Sequence, residues 1–155
     1  YRLGKDDRVI VDGLDGRFDL GRAQLVREGK DLLLIAVGAV SYETARAAEL
    51  LSKEGIEASV LIVSSVSPAP LEDLRIQLSK HRQAITVEAH YPSGGLASLV
   101  SEVVAQEGIG CRVTRVAIES APDGETGSQS YLYNKFGLST EAIAGKAKSL
   151  LVSLV

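Results

Sequence analysis

From Phe18 onward, short unbroken apolar runs alternate with stretches whose apolar residues recur every three or four positions. The longest run is Leu32-Leu33-Leu34-Ile35-Ala36-Val37, closed by Gly38. It is too short for a helix and too uniform for a strand with one wet face. It therefore predicts a strand covered on both sides, as in parallel sheets. Val40 to Glu54 follows, with Val40, Thr44, Ala47, Ala48 and Leu51 at helical spacing and Gly55 as the stop. Ala58 to Val63 predicts a second buried strand. Pro68 and Pro70 delay a helix whose apolar stripe is Leu71, Leu74 and Leu78. A third strand centres on Ile85 and Val87, and Gly94 and Gly95 open a helix carrying Leu96, Leu99, Val100, Val103 and Val104. Val113, Val116 and Ile118 predict a fourth strand, and Ala23 to Val26 a short edge strand ended by the turn Glu28-Gly29-Lys30-Asp31. Tyr131 to Phe136 reads as one short turn ending at Gly137. Ser139 then caps a last helix with Ile143, Ala147, Leu150, Leu151 and Leu154 inward. Strict alternation of strand and helix implies an α/β/α sandwich with right-handed crossovers between parallel strands.

The first nineteen residues break this pattern. Five aspartates alternate with four cations, three glycines interrupt any period, and Val9, Ile10 and Val11 form the only apolar cluster. Residues 1–19 are expected to be a linker or arm from a preceding domain, and residues 20–155 a single domain. A length of 155 residues with 45% apolar positions suits one core, and excludes disorder and a disulfide scaffold because Cys111 is the only cysteine. No apolar run approaches the roughly 20 residues of a membrane helix. A net charge of −3 and 5% aromatics without Trp argue against a nucleic-acid surface. The chain has no methionine, so Tyr1 is no translation start and an excised or processed polypeptide is expected. With no signal-peptide pattern at the start, a cytoplasmic setting is expected.

In open α/β sheets, ligands sit past the carboxyl ends of the strands, where helix starts offer free N–H groups. Three such loops are legible: Gly38 to Ser41, Ser64 to Ser67, and His90 to Gly95. None carries a dinucleotide fingerprint, a P-loop or a hydrolase nucleophile elbow. Glu88 and His90 lie two apart at a strand end, so both side chains face one side. They suit either acid–base work or mutual orientation at an interface, and the second reading is preferred. Gly94 and Gly95 suit an anion cradle or, preferably, close helix packing. His81, between Lys80 and Arg82, reads as a solvated charge at a helix end. Cys111 reads as core filler, and two histidines with one cysteine do not space a zinc site. The candidate interface or anion site is therefore Gly38, Ser41, Glu88, His90, Ser93, Gly94 and Gly95, and no residue is assigned a catalytic or metal-binding role.

Three segments resemble one family. Phe18 to Ala23, then Leu25 to Asp31 and the strand ending Val37-Gly38, is similar to the start of the transketolase family's C-terminal domain. Val87-Glu88-Ala89-His90 with Gly94-Gly95-Leu96-Ala97-Ser98-Leu99-Val100 resembles that family's Glu-Glu-His … Gly-Gly-Leu-Gly-Ser-Ala-Val stretch. Tyr131 to Ser139 with Ala142-Ile143 resembles its closing Lys-Phe-Gly-Leu-Thr segment. The matches run in order across about residues 17–151. The family holds transketolases, deoxyxylulose-phosphate synthases and the beta subunits of 2-oxo-acid dehydrogenases.

The resemblance implies a three-layer α/β/α sandwich whose mostly parallel, mixed sheet carries one antiparallel edge strand. It also implies that this domain supports a dimer and docks on cofactor-binding domains or a subunit of the same enzyme. Thiamine diphosphate and a divalent metal (Mg) are expected there rather than in this chain. The implied function is a non-catalytic part of an enzyme transferring two-carbon ketol units between sugar phosphates, in a homodimer of the whole enzyme, without nucleic acid or membrane. The alternative is a regulatory anion or small-ligand module of the same fold. The sequence departs from the family at Ser64 to Pro70, where many members carry a basic or histidine residue and then Lys-Pro-Leu-Asp, and at Ala89 and Ala97, where Glu and Gly are common.

Overall fold

The computed structural model describes residues 10–120 and 123–152. Among these residues five strands form one sheet: β1 (Ala23–Arg27), β2 (Leu32–Val37), β3 (Ala58–Val63), β4 (Gln83–Glu88) and β5 (Arg112–Val116). The helices are α1 (Ser41–Ser52), preceded by a 3-10 turn at Gly38–Val40, then α2 (Leu71–Lys80), α3 (Leu96–Gln106), α4 (Gln129–Lys135) and α5 (Thr140–Val152). The spatial order is β1-β3-β2-β4-β5, with β2, β3, β4 and β5 parallel and β1 antiparallel to β3. This is the mixed sheet with one antiparallel edge strand that the family resemblance implied.

Side-chain parity along the central strands builds both layers. Leu32, Leu34 and Ala36 of β2 enter a core with α1 and α5, while Leu33 and Ile35 enter the opposite core with α2 and α3. Five of the six residues of β3 split the same way, Ala58, Val60 and Ile62 to the first core and Leu61 and Val63 to the second, which is why a strand covered by helices on both faces is apolar along its length. From β2 the chain steps to β3 on one side, then crosses back to β4 on the other. That reversal puts a crevice between the carboxyl ends of β2 and β4, where Val37 and Glu88 are register partners.

Several expectations shift. Leu71 points outward while Leu74 and Leu78 are fully buried. The Tyr131–Phe136 turn is a seven-residue helix that begins at Gln129, because the Ser128 side chain caps it by accepting from the Tyr131 N–H. β5 ends at Val116, and the Ile118 N–H instead donates to the His90 carbonyl. The inward position of Leu154 lies outside the described residues. The largest correction is His81, which is 7% exposed rather than solvated. The residue leaves α2 in an extended conformation. Its ring sits in the seam between the α2 end and the β1–β2 turn. Nδ1 lies 2.8 Å from the Gln77 carbonyl, and Nε2 lies 3.1 Å from Ser59 Oγ and 3.2 Å from the Gly29 carbonyl. Flanking charges on Lys80 and Arg82 concealed a buried polar anchor.

Two devices hold the edge strand. Gly29 packs so closely on the Glu57–Ala58 backbone that any Cβ there would overlap it. Its N–H donates to Ser59 Oγ, and its carbonyl accepts from the same hydroxyl. At the other end of β1, Asp73 of α2 accepts from Arg22 Nε and Nη2 and from the Ala23 N–H, each at 2.8 Å. The Arg22 guanidinium holds the Asp73 carboxyl below its ordinary pKa.

Gly29→Ala is expected to cost about 2–3 kcal/mol in denaturant unfolding, since backbone rather than a movable side chain opposes the methyl. A cost below about 0.5 kcal/mol would show that the turn relaxes freely. For Asp73, a pKa lowered on folding means that the unfolded chain binds the proton more readily. Its stabilisation is therefore complete above the ordinary value near 4 and is lost as pH falls through the lowered value. The difference in Tm between the parent and Asp73→Asn should be largest above about pH 5 and shrink on acidification.

Candidate functional site

The carboxyl edge of the sheet collects all seven candidate residues but divides them between two neighbouring clefts. Gly38 and Ser41 line one, of about 380 Å³, together with Ser64. His90, Ser93, Gly94 and Gly95 line the other, of about 370 Å³, with Val37 and Tyr91. Glu88 lies beneath the second cleft and is wholly buried.

Glu88 ends β4 with its side chain on the α3 face of the sheet. Its Oε2 accepts from the Leu96 N–H at 2.8 Å, and Oε1 accepts from the Ala97 N–H at 2.9 Å. These are orphan donors at the start of α3, where the helix dipole favours negative charge. A carboxylate fully removed from water thus finds charge-assisted partners on both oxygens. Gly95 makes the approach possible, because a Cβ there would overlap the Glu88 carboxylate. Gly94 adopts φ +79, and its N–H donates to Ser98 Oγ. The Gly94-Gly95 helix start is therefore filled from within, and an external anion on those N–H groups would have to displace Glu88.

His90 lies on the same side as Glu88, as the two-residue spacing requires. Its Nδ1 stands 3.5 Å from Glu88 Oε2, and its ring is 63% exposed. The main-chain bond from Ile118 fixes its backbone. The carboxylate is committed to the helix, so His90 has a weak orienting partner rather than a tightly bound base. Ser93 stands on the rim of this cleft.

Elsewhere the chemistry is thin. Burial pushes the Cys111 thiol up to about 11, so it stays protonated at neutral pH and is a poor nucleophile. Ser65, in the loop that departs from the family pattern, is structural: its hydroxyl accepts from the Gly21 N–H and donates to the Pro68 carbonyl. Among the described residues no cluster of three or more His, Cys, Asp or Glu could hold a metal ion. Sequence reading missed a set of exposed apolar side chains in the loops at the carboxyl edge. Phe18 and Leu20 precede β1, Val66 follows β3 and Tyr91 follows β4. Each lies in a loop between elements, where periodicity carries no signal.

Comparison with known proteins agrees with this geometry. The family model for the transketolase C-terminal domain matches residues 21–143. A 1-deoxy-D-xylulose-5-phosphate synthase from Heliobacterium modesticaldum is 35% identical over 97% of this chain, which spans 23% of that protein. A putative transketolase C-terminal section from Methanocaldococcus jannaschii is 31% identical over 90% of the chain, and one of the subunits of an apulose-4-phosphate transketolase from Actinobacillus succinogenes is 32% identical over 96%. The chain spans 43% and 48% of these two, so it covers less than half of each of the three relatives. Among solved structures, a split-gene transketolase in an inactive beta4 tetramer superposes with a TM-score of 0.80 at 29% identity, over 88% of this chain and 44% of that one.

Glu88→Ala is expected to cost about 2–4 kcal/mol, because two buried N–H groups lose their acceptors. Gly95→Ala should cost about 1–3 kcal/mol by pushing the carboxylate aside. In the double variant the second cost should largely vanish, since no carboxylate remains to be displaced. Full additivity in a double-mutant cycle of denaturant midpoints would rule out the steric link between the two positions.

Proposed function

The chain belongs to the transketolase family as its C-terminal domain, and on that premise we propose that it is a supporting, non-catalytic domain of a thiamine-diphosphate-dependent enzyme. In this reading the enzyme transfers two-carbon ketol units between sugar phosphates, and this domain stabilises the assembly of the parts that bind the cofactor. Relatives named as transketolase subunits and as a C-terminal section support the assembly role.

The observation that carries the reading is the character of the carboxyl edge. In an α/β fold this edge is where reactive groups gather. Here its buried carboxylate is spent on capping α3, and its surface presents Phe18, Leu20, Val66 and Tyr91. Exposed apolar and aromatic side chains around a polar rim are the features of a docking surface. A bound thiamine diphosphate with its metal does not fit this chain's own residues. Of the two helix starts that follow the crevice strands, that of α3 is filled by Glu88, and the described residues offer no cluster of three or more ligands for the cation. The cofactor is accordingly assigned to the remainder of the enzyme.

Calorimetry of the chain with thiamine diphosphate and Mg is expected to show no binding, whereas a micromolar Kd or unaided turnover of a sugar phosphate would overturn the proposal. With the cofactor-binding portion supplied in cis or in trans, Phe18→Asp combined with Tyr91→Asp is expected to weaken assembly about 10- to 100-fold and lower ketol transfer in proportion. Unchanged assembly would move the docking surface away from this edge.

A further inference from the structure

The segment before β1 makes two consecutive turns, each centred on an Asp-Gly pair. The Val11 carbonyl accepts from the Leu14 N–H at 3.2 Å across Asp12-Gly13, and the Leu14 carbonyl accepts from the Arg17 N–H at 2.8 Å across Asp15-Gly16. An Asp-Gly peptide is chemically labile, because glycine has no side chain to shield its nitrogen from the aspartyl carboxyl just before it. Attack of that nitrogen closes a five-membered ring. Both aspartates are exposed. Among the described residues neither the Gly13 nor the Gly16 N–H has an acceptor. Sequence and exposure alone would therefore make the two pairs equally reactive.

Packing separates them. Asp12-Gly13 is anchored on both sides, since Val11 is buried and Leu14 packs against the core. Gly13 also rests on β1, where a Cβ would stand 3.4 Å from the Val26 Cβ and carbonyl oxygen, and its own carbonyl accepts from Arg17 Nη2 at 3.1 Å. Gly16 has nothing within 4 Å of the place a Cβ would take, and Arg17 and Phe18 beyond it are exposed. Asp15 holds φ +50 beside φ +69 at Gly16, the two positive values of a type I′ turn, and the first is unfavourable for a residue with a side chain. Opening this second turn breaks one main-chain hydrogen bond and no core contact, so it is a low-cost local motion.

We propose that Asp15-Gly16 is a site of spontaneous backbone isomerisation to isoaspartate, and that the fold protects Asp12-Gly13 from the same reaction. The Gly16 nitrogen bonds to Asp15 Cγ and gives up its proton, while the Cγ–OH bond breaks and one water leaves. Water then adds back to the ring. Opening at the Asp15 α-carbonyl leaves the chain running through Cγ with the α-carboxylate free, whereas opening at Cγ restores aspartate. Nothing is oxidised or reduced, and water is the only co-reactant. The product has one more backbone carbon and a carboxylate set directly on the main chain, just ahead of Phe18. The inference is independent of the docking reading.

The test ages the 155-residue chain at neutral pH and body temperature, then digests it and maps the peptides by chromatography with electron-transfer fragmentation, which separates isoaspartyl from aspartyl peptides of equal mass. Isoaspartate is expected to accumulate at Asp15 several times faster than at Asp12. In denaturant the two sites should react at similar rates, because packing alone distinguishes them. Asp15→Glu, whose longer side chain closes no five-membered ring, should abolish the signal at this position. Asp15→Asn should raise it, releasing ammonia in place of water. Equal rates at the two sites in the folded chain would overturn the proposal, as would Asp15 protected as fully as Asp12 or a preference for Asp15 that persists in denaturant. None of these outcomes would bear on the docking variants of the preceding section.

Discussion

The buried Glu88 carboxylate decides what the carboxyl edge of this sheet can do. A charge with no exposure to water is tolerated only where donors meet it on every side, and the α3 start provides two backbone N–H groups at 2.8 and 2.9 Å. Closing that contact fixes three things together: the end of β4, the angle at which α3 leaves the loop, and the need for glycine at position 95. It also removes from chemistry an acidic group that the topological switch point places beneath the crevice. His90 stands beside it with an exposed ring and only a 3.5 Å neighbour.

The same economy governs the other side of the sheet. The β1 edge strand contributes little core of its own, since all five of its residues are only half buried. It is held instead by polar contacts at its ends: Asp73 with Arg22 and Ala23 at one, and the Gly29–Ser59–His81 network at the other. These links tie the edge strand to α2 and to β3, elements far from it in sequence. The chain before β1 then lies along the carboxyl edge and presents Phe18 and Leu20 there. An edge of exposed apolar side chains and a cleft at α1 thus share a border at Phe18, which lines that cleft and belongs to the exposed set.

Membership of the transketolase family gives these features a consistent setting. The chain spans under half of each of the relatives compared with it, and its buried strand-end carboxylate caps α3. The serine-rich loop where many members carry charge fits that picture too. Ser65 holds Gly21 and Pro68 in place, and Ser64 is left facing the α1 cleft.

By itself the sequence determined the layers. The unbroken apolar run at Leu32–Val37, and the run at Ala58–Val63 broken only by Ser59, are satisfied by helices on both faces, and helical spacing in the segments between strands supplies those helices. It also marked Cys111 as filler and located the strand-end loops, because both follow from local pattern. Only the tertiary structure decided what the polar residues in those loops do. Glu88 became a cap because the next helix start turns back onto it, His81 a buried anchor because it meets Gly29 and Ser59 far away in sequence, and Ser41 a hydroxyl without a partner. The reason is physical: burial of apolar side chains is set by periodicity along the chain, whereas a polar side chain is defined by its partner, and partners meet only when the sheet has closed.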